Sequence, residues 1–350
     1  MCTTNPFDPE IPFYHPCSTL LLDDDEDFVR SLRVVLGDKH AVLGYSSPMK
    51  ALECVDGACA FADNAFNLFA DHGYLAEGAG TAIGDQMVLL KSSRLHDLAV
   101  YDDRYRIISV AVVDEVMPGM RGLDFCKALK NTGIKTILLT GQMEDADQTI
   151  EAFNSGVMDR FVSKRDPQAL IKIKAMIEAL HRAYFAERLA PFRVALGAAN
   201  AGPDGGQLSE LMAEIHSQFP FREYYYHSRS GGYLLRDDSG KSRVCLVSDL
   251  DGLKGLADFV EDQAGPGEMS DGLRRGDLIA WDFFDKVEDG RLLEDRIAHL
   301  LFPANRCGDI FWSLVPEEDM PYDDAFSCLS WSVYKERVSA SPLNTFGHAA

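Results

Sequence analysis

The sequence predicts an α/β chain: a doubly wound parallel sheet in the N-terminal half, a long helix, then a second domain of α+β type. Three observations carry that expectation. Short apolar runs end in carboxylates, as Leu20-Leu21-Leu22 does in Asp23-Asp24-Asp25 and residues 107–113 do in Asp114. Segments with apolar residues at helical spacing alternate with those runs. In the last third, strand candidates are joined by a hairpin signal, Asp238-Ser239-Gly240.

Residues 1–17 carry Pro6, Pro9, Pro12 and Pro16 and read as an irregular arm. Residues 18–22 form a buried strand that delivers acids at its carboxyl end. Phe28, Leu32, Val35 and Leu36 then share one helical face. A second strand is predicted over 41–45 and a helix start over 48–55. The stretch from about 56 to 106, with Gly78-Ala79-Gly80 inside it, reads as an insertion. Residues 107–113 are continuously apolar, which suits a central parallel strand covered on both faces. A helix over 122–130, a strand over 134–140, a helix over 145–154 and a strand over 157–163 follow. In such sheets chemistry collects at the carboxyl ends of the strands.

A long helix begins at Pro167 and occupies 167–195 with its extension. Leu170, Ile173, Ile177, Leu180 and Tyr184 step along it at alternating intervals of three and four. That seam either closes the parallel sheet or, in its second half, extends outward as an interdomain or dimer-forming surface. Residues 196–207 read as a flexible linker. Beyond it lies an α+β output domain over 208–345. Its strands are expected at 224–227, 232–236, 244–247, 278–281 and 310–315, and its helices at 253–261 and 292–301.

Composition excludes some functions. The 350 residues carry a formal net charge of −21, and from Gly205 onward 14 Lys/Arg face 26 Asp/Glu. Duplex DNA binding needs a basic face that displaces counterions, so the charge argues against DNA. No apolar run reaches the roughly 18 residues that span a bilayer. The N-terminus lacks the basic and apolar regions of a secretory signal, so the expected location is the cytoplasm. Cys2, Cys17, Cys54, Cys59, Cys126, Cys245, Cys307 and Cys328 are scattered without zinc spacing and read as reduced thiols.

The strand ends supply the parts that aspartyl phosphorylation needs. These are an acidic pair, Asp23 and Asp24; an acceptor, Asp114; a hydroxyl, Thr140; and an ammonium, Lys164. The chain from about Thr19 to Asp166 resembles the response-regulator receiver domain. The resemblance rests on Leu20-Leu21-Leu22-Asp23-Asp24-Asp25 and Asp114-Glu-Val-Met117-Pro118-Gly-Met120-Arg-Gly122. Ile137-Leu138-Leu139-Thr140-Gly141 and Phe161-Val162-Ser163-Lys164 complete it.

It implies a flavodoxin-like, five-stranded parallel sheet in a receiver spanning 18–166, with the insertion before the phosphoacceptor strand. It also implies Asp114 as phosphoacceptor and Mg2+ as cofactor. Asp24 would bind the ion directly, Asp23 through water, and the carbonyl of Val116 would complete the protein ligands. Thr140 and Lys164 would bind phosphoryl oxygens, and Phe161 would be the switch aromatic. The implied partners are a sensor histidine kinase or phosphotransfer protein, a second copy in a phosphorylation-dependent homodimer, and a downstream protein or small ligand.

Three departures stand out. The acidic pair and the acceptor are about 90 residues apart, roughly double the family's spacing. Arg165 stands where the family usually has proline, which predicts a rearranged loop after the fifth strand. Val116 offers no polar group to orient an attacking water, which predicts slow self-dephosphorylation.

No enzyme signature marks the output domain, which is expected to act through protein contacts, the alternative being an enzyme or a nucleotide- or small-ligand-binding module controlled by the receiver. Ser248-Asp249-Leu250-Asp251-Gly252 is similar to a haloacid-dehalogenase nucleophile motif, but an Asp capping a helix explains it as well. Tyr224-Tyr225-Tyr226-His227 reads as core or interface rather than a base-stacking platform. Arg275-Gly276-Asp277 and Cys307-Gly308-Asp309 read as two turns.

Overall fold

The computed structural model describes residues 5–37, 39–67, 81–83, 86–88, 92–141, 151, 153–191, 205–227, 231–281, 297–320 and 328–345. The chain divides into two compact units, each assembled from separate segments. One comprises 16–67, 102–190 and 329–350; the other comprises 1–15, 68–101 and 191–328.

The first unit is built on five parallel strands: β1 (Ser18–Leu22), β2 (Ala41–Tyr45), β3 (Ile108–Asp114), β4 (Lys135–Thr140) and β5 (Arg160–Ser163). Their order is β2-β1-β3-β4-β5, as the fold class predicts. All seven residues of β3 are buried, which is what its unbroken apolar run requires. Alternation divides each strand between two cores. Leu20, Leu22, Leu43, Tyr45, Ala111 and Val113 face one side. Leu21, Val42, Val110, Val112, Ile137 and Leu139 face the other. Register puts Leu22 beside Val113, Asp114 beside Leu139 and Thr140 beside Ser163, so the strands deliver their carboxyl ends to one edge.

Helix α1 (Glu26–Gly37) buries Val29, Leu32 and Leu36 on the second core. Asp25 caps it by accepting from the backbone N–H groups of Asp27 and Phe28, at 3.0 and 3.1 Å. Helix α2 (Pro48–Ala65) starts on proline and lies on the first core, as does α3 (Gly122–Leu129). The helix expected over 145–154 lies almost entirely outside the described residues.

Helix α4 runs Ala169–Arg188 and resolves the two readings of its seam. Ile173, Ile177, Leu180 and Tyr184 are all buried within this unit, while Leu170 is 43% exposed. The second half of the helix is covered too. Phe66 rings contact Tyr184 and Phe185, and Arg188 pairs with Asp63 at 2.6 Å. The seam is therefore core, and the dimer-forming surface expected along it is already consumed by the chain itself.

A further helix, α5 (Trp331–Ala340), corrects the expected limit of the output domain at residue 345. Trp331, Tyr334 and Val338 lie on one helical face and enter the first core beside Tyr45, Cys54 and Tyr105. Tyr334 shares a 2.8 Å hydrogen bond with Ser18. The segment then caps the edge strand β2: Asn344 donates its N–H to the Gly44 carbonyl at 2.8 Å.

The second unit carries a six-stranded antiparallel sheet. Its order is Phe13–Tyr14, Glu223–His227, Gly232–Arg236, Ser242–Ser248, Ile310–Pro316, Asn305–Cys307. The arm expected to be irregular thus contributes an edge strand, with Phe13 paired to Tyr225 and Tyr14 to Tyr224. The insertion contributes here as well. Helix Ser92–Val100 belongs to this unit and presents the Ala99 carbonyl to the buried Arg236 guanidinium at 2.7 Å. Only 68–101 of the expected 56–106 insertion belongs here, because α2 continues to Ala65 within the parallel unit. The expected linker narrows at its end, since helix Gly205–Gln218 starts on Gly205. The hairpin at Asp238-Ser239-Gly240 forms with Gly240 at φ +90°. Residues 291–296, the start of the helix expected at 292–301, lie outside the described residues, and Leu301 opens a strand.

Candidate functional site

At the carboxyl edge of the parallel sheet the structure gathers Asp23, Asp24, Asp114 and Lys164. Each arrives because a strand ends there: Asp23 and Asp24 follow the buried β1, Asp114 ends the buried β3, and Lys164 follows β5, whose first two residues are exposed. Asp23 and Asp114 are buried and Asp24 is exposed, yet carboxylate oxygens of all three lie within 4.8 Å of one another. Lys164 Nζ bridges the buried pair, 2.7 Å from Asp23 and 2.8 Å from Asp114. The Phe28 ring lies 4.7 Å from the same ammonium.

Backbone hydrogen bonds tie these groups together. Asp23 donates its N–H to the Tyr45 carbonyl at 3.1 Å, and its side chain accepts from the N–H of Asp25 at 3.0 Å. Thr140 ends β4 one residue beyond Leu139, the register partner of Asp114. Its carbonyl accepts from the Lys164 N–H at 2.8 Å. Among the described residues, a Cβ built on Gly141 meets nothing within 4 Å. Gly122 is the reverse case. A Cβ there would lie 2.2 Å from the Asp114 carbonyl oxygen, so only glycine lets α3 begin so close to the end of β3.

Three carboxylates against one ammonium leave an excess of negative charge. Burial pushes the Asp114 carboxyl above its usual value; Lys164 opposes this by hydrogen bonding, and the nearby Asp23 adds to it. Burial works against the Lys164 ammonium, but its hydrogen bonds to Asp114 and Asp23 outweigh it and hold the group above its usual value. A cluster of hard oxygen donors with unneutralised charge is suited to a divalent cation such as magnesium.

The remaining expected residues occupy the rim. Val116 is 75% exposed, and Phe161 on β5 is 45% exposed, its ring turned outward. No cis peptide bond occurs among the described residues, so Arg165 follows Lys164 through a trans bond. Asp166 donates its N–H to the Ser163 carbonyl at 3.0 Å to close that turn. A cavity of about 330 Å³ between α1 and α4 opens beside Lys164, lined chiefly by Phe28, Leu32, Val35, Leu170 and Ile173.

Sequence reasoning missed Glu115 and Arg121. Arg121 donates to Glu115 from Nε at 3.1 Å and from Nη2 at 2.5 Å. Their signal was present but weak: a carboxylate directly after Asp114, and a guanidinium directly before the tight Gly122. In the second unit, Asp249 accepts from the Gly252 N–H at 2.7 Å and caps a helix, which accounts for the dehalogenase-like string.

No protein-family model and no curated protein matches the chain. Among solved structures it is similar to the response regulator LqsR of Legionella pneumophila, with a TM-score of 0.64 and 25% identity. That likeness covers 94% of this chain and 96% of LqsR. A response-regulator receiver domain protein of Clostridium thermocellum matches at TM-score 0.30 and 18% identity, over 49% of this chain and 96% of its own. The signal receiver domain of an HD-domain protein of Pseudomonas fluorescens Pf-5 matches at TM-score 0.32 and 15% identity. It covers 50% of this chain and 93% of its own.

Proposed function

We propose that this chain, a response regulator with an N-terminal receiver domain, is a phosphorylation-dependent switch whose acceptor is Asp114. The observation that carries the reading is the Lys164 ammonium between Asp23 and Asp114 at 2.7 and 2.8 Å, on the edge where Asp24 and Thr140 also end. A sensor histidine kinase or phosphotransfer protein supplies the phosphoryl group. An Asp114 carboxylate oxygen attacks the phosphorus of a phosphohistidine. The O–P bond forms as the P–N bond breaks, and that electron pair leaves on the imidazole nitrogen.

The chain's own groups prepare that step. Lys164 and the Thr140 hydroxyl bind two of the phosphoryl oxygens, and the ammonium, 2.8 Å from Asp114, opposes the burial that pushes its carboxyl above its usual value. Magnesium would be held by Asp24, Asp114 and the Val116 carbonyl, with Asp23 reached through water, and it supplies positive charge to the phosphoryl oxygens. The apolar cavity beside Lys164 offers the phosphoryl donor a surface next to Asp114.

Phosphorylation draws Thr140 toward the new group, and Phe161 turns inward from its exposed position. Val116 holds no water in line, so the phosphorylated state is long-lived. The acidic output half acts through protein contacts or a small ligand rather than duplex DNA. No helix among the described residues is long and apolar enough to cross a membrane.

Acetyl phosphate with Mg2+ tests this reading. The full chain should gain one hydroxylamine-labile phosphoryl group, and Asp114→Asn should gain none. Labelling of that variant to the wild-type extent would remove Asp114 from the role.

A further inference from the structure

We propose that Glu115 and Arg121 are positioning residues that hold the backbone carbonyl of Val116 aimed at the divalent cation, a role that rests on the cation site proposed above. A backbone carbonyl has no rotamers of its own; it points where its loop points. The loop in question, residues 115–121, joins β3 to α3 and turns through Gly119 at φ +80°. A ligand on such a loop is useful only when the loop is fixed in advance.

Glu115 fixes it from both ends. Its N–H donates to the Leu139 carbonyl on β4 at 2.9 Å, and its carbonyl accepts from the Gly122 N–H at 3.0 Å. The side chain then folds back across the loop. Oε1 receives Arg121 Nε at 3.1 Å and Nη2 at 2.5 Å, and Oε2 receives the Leu123 N–H at 3.2 Å. One side chain thus ties the residue after the acceptor to the first turn of α3. Met117, buried, and Met120, packed on the first core, seat the middle of the loop, while Val116 projects outward with 75% exposure.

The charge of the pair fits this role. A fourth carboxylate beside Asp114 would compete with the acidic cluster for cations, and Arg121 neutralises it in place. The Arg121 side chain is 48% exposed and that of Glu115 13%. The pair joins a half-exposed guanidinium to a mostly buried carboxylate, and its bonds run from the residue after Asp114 to the first turn of α3, so they set the shape of the loop they close.

The test reads metal affinity directly, with Mn2+ as probe and the electron paramagnetic resonance signal of the free aqua ion as readout, on the full chain. Glu115→Ala should weaken Mn2+ binding about tenfold, the scale typical of groups that orient a metal ligand. Glu115→Gln, which still accepts from the Leu123 N–H, should stay within about threefold, and Arg121→Ala should fall between them. Metal-free melting temperatures of the variants should lie within about 2 °C of wild type.

Asp24→Asn serves as the control. Wild-type affinity in Glu115→Ala, with binding lost in Asp24→Asn, would overturn the positioning role while leaving the cation site standing. A Glu115→Gln loss as large as that of Ala would also overturn it, by assigning the effect to charge. Affinity untouched by Asp24→Asn would overturn the cation site and this role together. Should Glu115→Ala not fold, Arg121→Ala decides: unchanged affinity there refutes the clamp.

Discussion

Each unit buries cations against carboxylates, and the two arrangements are opposite in balance. In the antiparallel unit Arg236 and Glu223 are both fully buried, 3.5 Å apart across adjacent strands. Tyr225 donates to Glu223 at 2.8 Å, and Arg236 donates onward to Ser242 at 3.3 Å and the Ala99 carbonyl at 2.7 Å. Among the described residues this guanidinium pairs with a carboxylate, and protein oxygens accept further hydrogen bonds from it. In the parallel unit one ammonium, 26% exposed, faces three carboxylates. Among the described residues that leaves an excess of negative charge at the strand edge. The contrast teaches that buried charge alone marks architecture, whereas unbalanced buried charge at a strand edge marks chemistry.

The largest expected effect lies in the balanced pair. Arg236→Met leaves the Glu223 carboxylate buried without its cation, and urea unfolding should report a loss of about 3–5 kcal/mol. Replacing both residues, Arg236→Met with Glu223→Leu, should recover most of it. A single variant within about 1 kcal/mol of wild type would break the comparison, because such a pair would then be no better than a surface one.

The unbalanced cluster should answer with the opposite sign. The folded Asp114 carboxyl lies above its usual value, chiefly from burial. Folding therefore favours its protonated form: the stability it contributes is present below the unfolded carboxylate range and is lost as pH rises through the folded value. Asp114→Asn should accordingly raise the metal-free melting temperature at neutral pH by about 2–4 °C. The gap should close as the pH falls into the carboxylate range. Mg2+ at tenfold its dissociation constant should add about 1.4 kcal/mol to wild type and far less to the variant. A variant that melts below wild type at neutral pH without metal would contradict this.

The smallest effect concerns turnover of the phosphorylated state. Val116→Asn places an amide on the exposed rim and should speed loss of phosphate several-fold, followed as decay of hydroxylamine-labile label. A rate equal to or slower than wild type would show that water reaches the site without help from this position.

The legibility of the sequence followed the same divide. The parallel sheet was readable because β1, β3 and β4 are buried along their whole length, so apolar runs had to appear, and the acids had to stand where those runs stopped. Asp23, Asp24, Asp114 and Lys164 could be found one strand at a time. What could not be found depends on partners hundreds of residues away. Phe13 and Tyr14 are too few to show a period, and only their pairing with Tyr225 and Tyr224 makes them a strand. Trp331, Tyr334 and Val338 sit at helical spacing, but nothing local says that their apolar face meets Tyr105 and Tyr45.

Helix α4 shows the converse error. The second half of its repeating seam read equally as core or as an interdomain or dimer-forming extension, and the rings of Phe66 against Tyr184 and Phe185 place it in the core. The Glu115–Arg121 clamp was hidden for another reason, because a six-residue separation across a loop has no periodic signature.

The central claim is that the unbalanced edge exists to make an acyl phosphate on Asp114. Borohydride reduces an acyl phosphate to the alcohol, converting a phosphorylated aspartate to homoserine, and peptide mass spectrometry locates the change. After treatment with acetyl phosphate and Mg2+, this account predicts homoserine at position 114 and aspartate retained at 23 and 24. Conversion at 23 or 24, or no conversion in a chain that has taken up label, would contradict it.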